Sequence, residues 1–85
     1  MNITDNRFEL VEKGLTAFAD YHRDGAVVAL THIEVDPALR GTGAATRLME
    51  AIVAQARADG FSIAPRCAFA KAWFQRHPES ADLLA

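Results

Sequence analysis

The sequence is poor in cysteine, with only Cys67 among its 85 residues. One cysteine cannot form a disulfide within the chain, and it cannot supply a metal site built from several thiolates. The three histidines are scattered and show no zinc-binding spacing, so no metal is expected. This cysteine content is typical of a reducing compartment, and we therefore expect a cytoplasmic location.

Long apolar runs and blocks of like charge are also missing. No apolar stretch is long enough to span a membrane, and the first six residues lack the basic and apolar segments of a signal peptide. Nine basic and eleven acidic residues are interspersed and give a net charge of −2. Because nucleic-acid-binding domains usually carry a basic surface, neither nucleic acid nor a membrane is an expected partner.

The length of the chain predicts one domain over residues 1–85. Apolar residues make up 51% and charged residues 24%, which is the composition of an ordinary globular protein. A chain this short buries a modest fraction of its surface, so a thin core is expected. A small domain with an exposed edge strand is also a candidate homodimer.

The first half of the chain predicts three strands, at residues 7–12, 15–22 and 26–35. The first two alternate polar and apolar side chains, and the third is rich in β-branched residues, as expected of a central strand. Turn signals separate them at Lys13-Gly14 and at Asp24-Gly25. Short turns between consecutive strands predict an antiparallel meander.

The second half predicts a helix, a short strand and a second helix. Apolar residues recur every three or four positions over residues 43–59, and Gly60 is a stop signal. A strand at 61–65 and a helix over 68–77 follow, and four residues of that helix are expected to face inward: Ala68, Phe69, Ala72 and Trp73. The order β-β-β-α-β-α predicts an α/β fold whose last strand returns parallel to the third, a pair that can splay and open a cleft.

A glycine-containing turn links the third strand to the first helix. It consists of Arg40, Gly41, Thr42, Gly43, Ala44, Ala45 and Thr46. Small residues at a helix start leave backbone N–H groups free, and the helix dipole adds partial positive charge, so the turn is a candidate phosphate site. It lacks the third glycine of a Rossmann fingerprint and the Gly-Lys-Ser/Thr of a P-loop. The alternative is a flexible loop that caps the helix.

Several motifs occur in a fixed order along nearly the whole chain: His32, Val35, Arg40-Gly41-Thr42-Gly43-Ala44-Ala45, Pro65-Arg66-Cys67 and His77-Pro78-Glu79. With them the chain resembles the GNAT acetyltransferase superfamily, and most closely its short, single-domain N-acetyltransferase branch. Two positions depart from the pattern. Asp36 stands where the family tends to have proline, and Trp73-Phe74 stand where a tyrosine is common.

The resemblance implies a minimal GNAT-like fold with acetyl-CoA in the gap of a splayed sheet. Backbone amides of the glycine turn would hold the pyrophosphate, and the end of the third strand (Ile33, Glu34 and Val35) would pair with the pantetheine arm. The implied function is transfer of an acetyl group to an amine or other small nucleophile. The acceptor-binding segments of full-length GNAT enzymes are missing, so the alternatives are a CoA-binding or protein-interaction module with little turnover and, more weakly, a nucleotide-phosphate binder.

Cys67 and His32 are the candidate catalytic residues. Cys67 falls at the predicted start of the second helix, where the dipole and neighbouring Arg66 favour a thiolate, and the resemblance puts it near the CoA sulfur. The alternative is an inert, buried cysteine. His32 and Glu34 are two residues apart on one strand face, so His32 is a candidate general base or a structural, hydrogen-bonded histidine. For Glu34 the simpler interpretation is a solvated carboxylate on the strand surface.

Overall fold

A mixed five-stranded sheet in the order β1-β2-β3-β4-β5 organises the chain, and the computed structural model describes all 85 residues. The strands are β1 (Asn2–Ile3), β2 (Arg7–Glu12), β3 (Leu15–Asp24), β4 (Val27–Val35) and β5 (Ser62–Pro65). The helices are α1 (Ala44–Asp59) and α2 (Ala68–Arg76), with 3₁₀ segments at Pro37–Leu39 and Pro78–Leu83. The predicted α/β class and element order are confirmed, and β1 is an addition.

The strand pairing follows from the turns between the strands. β1 to β4 pair antiparallel with their neighbours, as the meander predicted. The turn between β2 and β3 places Lys13 at φ 53° and Gly14 at φ 75°, the left-handed conformation that tight hairpin turns need. β5 lies parallel to β4, from the pair Val27–Ser62 to the pair Leu30–Pro65.

The helix α1 forms where the apolar stripe predicted it. Gly43 precedes its first residue, and Gly60 ends it at φ 77° by donating its N–H to the carbonyl of Ala56 at 2.8 Å. The stripe that the sequence shows is the buried face of the helix: Ala44, Leu48, Met49, Ile52, Val53 and Ala56. Burial of each large side chain contributes about 1.5–3 kcal/mol to folding, so this face anchors the helix to the sheet.

The helix α2 presents a different face to the core from the one predicted. Its buried residues are Ala70, Trp73 and Phe74. Trp73 is inward as expected, but Ala68 and Phe69 are exposed and Ala72 is only half-buried. The prediction was wrong for the first turn because a nine-residue helix with apolar residues on several sides has no single apolar face, and contacts with the sheet and α1 select one.

Both α-helices pack on the same face of the sheet. Their buried side chains belong to one core cluster, which also holds sheet residues such as Phe8, Ala17, Val28 and Leu30. The opposite sheet face carries no helix, and we call it the bare face. Its side chains include Arg7, Phe18, Asp20, His32 and Glu34. Neither α-helix has the length and apolar character required to cross a bilayer.

Candidate functional site

A gap opens between β4 and β5 at the end of their parallel pairing. The last hydrogen bond joins the N–H of Arg66 to the carbonyl of Leu30 at 2.8 Å. Beyond it, β4 continues to Val35, whereas the chain after β5 turns into α2. Residues 31–35 of β4 therefore have no strand partner on that side, and the predicted splay of the parallel pair is found.

A β-bulge precedes the unpaired edge of β4. Leu30 pairs with Tyr21 and His32 pairs with Asp20, so Thr31 is an extra residue with no partner in β3. A bulge bends its strand and changes which backbone groups face each side. Here it lies just past the last β4–β5 hydrogen bond, where the two strands separate.

Two residues of β4 after the bulge direct their backbone N–H and C=O groups into the gap. Asp36 donates its N–H to the carbonyl of Thr16 in β3 at 3.0 Å. Because hydrogen-bonding direction alternates along a strand, the N–H and C=O groups of Glu34 also face β3, and those of Ile33 and Val35 face the gap. An extended chain could therefore add to this edge through Ile33 and Val35, whereas the backbone of Glu34 is already used by the sheet.

The connection from β4 to α1 is a 3₁₀ turn followed by two left-handed glycines. The Asp36 side chain caps the turn by accepting the Ala38 N–H at 2.9 Å. Gly41 then has φ 77° and Gly43 has φ 85°, a conformation in which other residues are strained. These two left-handed residues bring the chain to Ala44, the first residue of α1.

Several amides of the glycine turn have no acceptor within the protein. The N–H groups of Arg40 and Thr42 donate to Pro37 and Leu39 and are used inside the turn. The unpartnered N–H groups belong to Gly41, Gly43, Ala44, Ala45 and Thr46. Five free donors at a helix N-terminus form a site suited to an anion with several oxygens, such as a pyrophosphate.

A cavity of about 270 Å³ lies against these donors. It is bounded by Val35, Leu39, Arg40, Gly41, Gly43, Ala44, Ala45, Thr46 and Phe69. Phe69 is 37% exposed and is the only aromatic side chain in the wall, so it adds a large apolar surface to the cavity. The sequence favoured a core position for Phe69 and left open that one aromatic side chain of α2 covers the adenine or the pantetheine. The packing of α2 places Phe69 in the cavity wall.

A second cavity, of about 420 Å³, opens on the bare face at the end of β4. Its walls are Thr16, Phe18, Glu34, Val35, Asp36, Pro37 and Arg40. Val35 and Arg40 border both cavities, so the two adjoin at the end of β4. A molecule in the first cavity and a molecule in the second could thus meet at the end of β4.

Cys67 occupies the N-cap position of α2, as its place in the sequence predicted. It is half-buried, packs against the core and makes no side-chain capping hydrogen bond. It directly follows Arg66, whose N–H makes the last bond to β4. Cys67 therefore lies where β4 and β5 separate, a place that we call the fork. It is not part of the wall of either cavity.

His32 lies on the other branch of the fork, on the bare face. Its Nε2 is 3.5 Å from Oε1 of Glu34, and both side chains are more than half exposed. The expectation that His32 and Glu34 share a strand face is confirmed. The ring of Phe18 lies 6.2 Å from the imidazole on the same face.

The two arginines beside the glycine turn differ in their partners. Arg47 forms a two-pronged ion pair with Glu12, which holds the pKa of that carboxyl below its ordinary value and raises the pKa of Arg47. Arg40 forms no ion pair and borders both cavities. Arg40 is therefore the cation available to an anionic ligand. No group of three or more His, Cys, Asp or Glu side chains is arranged to hold a metal ion.

Comparison with known proteins assigns the family. The family model of GCN5-related N-acetyltransferases matches residues 7–83. The chain belongs to this family. A similar solved structure is the NMR solution structure of a GCN5-like protein from Staphylococcus aureus. The two share 25% sequence identity and a TM-score of 0.76, over 99% of this chain and 85% of the other. No curated protein sequence matches the chain.

Family membership and fold support an acetyltransferase. This GCN5-related N-acetyltransferase matches the family over almost its whole length, including the glycine turn, the bulged strand and the helix that begins after Cys67. The family generally takes its acetyl group from acetyl-CoA. The free amides, the unpaired strand edge and the adjoining cavity are the features of this chain that fit such a donor.

Proposed function

We propose that this N-acetyltransferase moves an acetyl group from acetyl-CoA to an amine acceptor at the gap between β4 and β5. The observation that carries the proposal is the set of five unpartnered amides beside an unpaired strand edge. A pyrophosphate needs many donors close together, and a pantetheine arm has amide groups spaced for pairing with a strand. The chain offers both within one short segment, residues 33–46.

Donor binding would use backbone groups more than side chains. The amides of Gly41, Gly43 and the first turn of α1 would hold the pyrophosphate, with Arg40 as the counter-charge. Ile33 and Val35 would pair with the pantetheine arm in place of the missing β5 partner. Phe69 would cover the apolar part of the donor, because an aromatic wall excludes water from one side of the cavity.

Cys67 is proposed as the nucleophile that receives the acetyl group. Its thiolate attacks the thioester carbonyl, the bond from that carbon to the coenzyme A sulfur breaks, and coenzyme A leaves as a thiolate. A backbone N–H of Ile33 or Val35 would stabilise the negative charge that develops on the carbonyl oxygen. The position of Cys67 at the fork, beside the strand edge that would bind the pantetheine arm, supports this role.

His32 is proposed as the base that serves the acceptor. The acceptor would approach from the bare face through the larger cavity, whose wall includes Glu34. When the amine attacks the acetyl carbonyl, the Cys67 sulfur leaves as a thiolate and His32 takes the amine proton. Glu34, with an oxygen 3.5 Å from the imidazole, would stabilise the charged histidine that results.

Intact-protein mass spectrometry after incubation with acetyl-CoA tests the proposal, with parent chain and Cys67→Ala side by side. We expect one acetyl group on the parent and none on the variant. An adduct on both chains would assign the acetylation to another residue and remove Cys67 as nucleophile. Absence of an adduct, with no change in melting temperature on adding acetyl-CoA, would contradict donor binding itself. If no adduct forms but acetyl-CoA raises the melting temperature, the chain binds acetyl-CoA without acetylating Cys67. The remaining functions are then direct transfer to the acceptor and a CoA-binding module.

A further inference from the structure

The guanidinium of Arg47 joins three parts of the chain that meet at the glycine turn. Its Nε and Nη2 donate to the two carboxylate oxygens of Glu12, at 2.7 and 2.8 Å, at the end of β2. Its Nη1 donates to the backbone carbonyl of Thr42 at 2.9 Å. Arg47 itself lies in the first turn of α1, so one side chain ties a strand end and a helix start to the turn between them.

We propose that Glu12 and Arg47 are positioning residues for the acetyl-CoA site, an inference that rests on the proposed function. In a trans peptide the C=O and the N–H point in opposite directions, and the chain contains no cis peptide. The bond from Arg47 to the Thr42 carbonyl therefore directs the Gly43 N–H away from Arg47. Gly43 borders the cavity, so this bond fixes one of the free donors for the pyrophosphate.

The geometry around Gly43 is adapted to this contact. A Cβ atom at Gly43 would lie 3.1 Å from Nη1 of Arg47, so glycine lets the guanidinium approach the turn closely. Glu12 accepts hydrogen bonds from two guanidinium nitrogens, Nε and Nη2, which fixes the plane of the guanidinium. The third nitrogen, Nη1, then points at the Thr42 carbonyl. Because all three nitrogens of Arg47 are used within the protein, Arg47 acts on the ligand through the turn, whereas Arg40 is free to contact it.

A second arginine pair in the chain provides a matched control. Arg57 donates to both carboxylate oxygens of Asp82, at 2.8 and 3.1 Å, and to the carbonyl of Glu79 at 3.2 Å. This pair ties the end of α1 to the last 3₁₀ segment, at the opposite end of the helix from the glycine turn. The side chains of Arg47 and Arg57 are 45% and 46% exposed, so the two arginines are matched in exposure, whereas Glu12 is 26% exposed and Asp82 is 61% exposed.

Calorimetric titration with acetyl-CoA should compare the parent chain, Arg47→Lys and Arg57→Lys. Lysine keeps the charge but cannot bridge Glu12 and Thr42 with a planar fork. We expect the Kd for acetyl-CoA to rise about tenfold in Arg47→Lys and to stay within about twofold in Arg57→Lys. The kcat of Arg47→Lys at saturating acetyl-CoA should remain near that of the parent. A double variant Glu12→Ala/Arg47→Lys should bind no more weakly than Arg47→Lys.

A measurement without ligand separates this inference from the proposed function. Backbone NMR relaxation should give Gly43 the order parameter of rigid backbone, about 0.85, in the parent and in Arg57→Lys, and below about 0.6 in Arg47→Lys. An ordered Gly43 in all three chains would overturn the positioning role, as would equal acetyl-CoA affinities in the two variants. If the parent does not bind acetyl-CoA, the proposed function fails, and the order parameters still decide whether the pair holds the turn.

Discussion

The carbonyl of Leu30 and the N–H of Arg66 form the last hydrogen bond between β4 and β5, and both candidate catalytic residues lie just past it. Cys67 is the next residue after Arg66 on one branch, and His32 is two residues after Leu30 on the other. A parallel pair that stopped later would fill the gap with protein backbone. The early stop leaves the strand edge free, which is what a donor molecule that pairs with β4 requires.

Gly43 should be needed for both the conformation of the turn and the approach of Arg47. The change Gly43→Ala places a side chain at φ 85° and 3.1 Å from Arg47, so we expect weaker acetyl-CoA binding and a loss of about 1–2 kcal/mol in the free energy of unfolding. Gly60→Ala is the control, because its φ of 77° imposes similar strain with no atom within 4 Å. Titration calorimetry should show reduced affinity in Gly43→Ala only; reduced affinity in both would mean that general destabilisation is the cause.

Phe69 should contribute to donor binding and little to stability. Because 37% of its surface is exposed, we expect Phe69→Ala to lower the free energy of unfolding by about 1 kcal/mol or less and to raise the KM for acetyl-CoA severalfold. Leu84→Ala serves as the control, since Leu84 is 40% exposed and outside both cavities. Steady-state kinetics with the acetyl-CoA concentration varied will measure the effect, and an unchanged KM would remove Phe69 from the site.

His32 should act on kcat more than on KM. Loss of a general base typically costs about a hundredfold or more, so we expect His32→Gln to lower kcat by about that factor, with little change in melting temperature because the side chain is exposed. His22→Gln is the control, because His22 is also exposed on the sheet but lies in β3, whereas β4 and β5 form the gap. Similar rates for the parent and His32→Gln would leave the acceptor proton to another group.

The ion pair of Glu12 with Arg47 should make the folding stability of the chain depend on pH. Arg47 holds the pKa of Glu12 below its ordinary 4.5, so the folded chain binds fewer protons than the unfolded chain in that range. The stabilisation is therefore full above about pH 5 and is lost as the pH falls through the lowered pKa. The melting temperatures of the parent and Glu12→Gln should differ near pH 6 and converge once the pH has fallen below the lowered pKa of Glu12. Asp82, whose pKa is also lowered, is unchanged in both chains and cancels in the comparison.

Local sequence patterns predicted the helix α1 and the order of the elements well. The apolar stripe from Leu48 to Ala56 has one clear face, and Gly60 is an unambiguous stop. The strand β1 was missed because the two residues Asn2–Ile3 are too few to show a period. The inward face of α2 was wrong because its first-turn residues Ala68 and Phe69 are apolar yet have no sheet or helix to pack against.

The candidate site was predictable in position but not in detail. The small residues of the glycine turn indicated a run of free amides, but the use of the Arg40 and Thr42 amides inside the turn depends on the 3₁₀ geometry. The bulge at Thr31 has no sequence signal, and it decides which β4 amides face the gap. The contact of Glu12 with Arg47 joins residues 35 positions apart, which no local pattern reveals. The roles of Cys67 and His32 stay predictions.

The bare sheet face also has a consequence for selectivity. An enzyme that encloses its substrate can select by size, because a closed pocket sterically excludes molecules that are too long for it. Here both helices pack on one side of the sheet, and the larger cavity opens on the uncovered face, where we propose that the acceptor enters. Under the proposed function, this cavity would contact only the reacting end of an acceptor. The site would then accept both a free small amine and a lysine side chain on a large protein. Selection between these two kinds of acceptor would have to come from outside this domain.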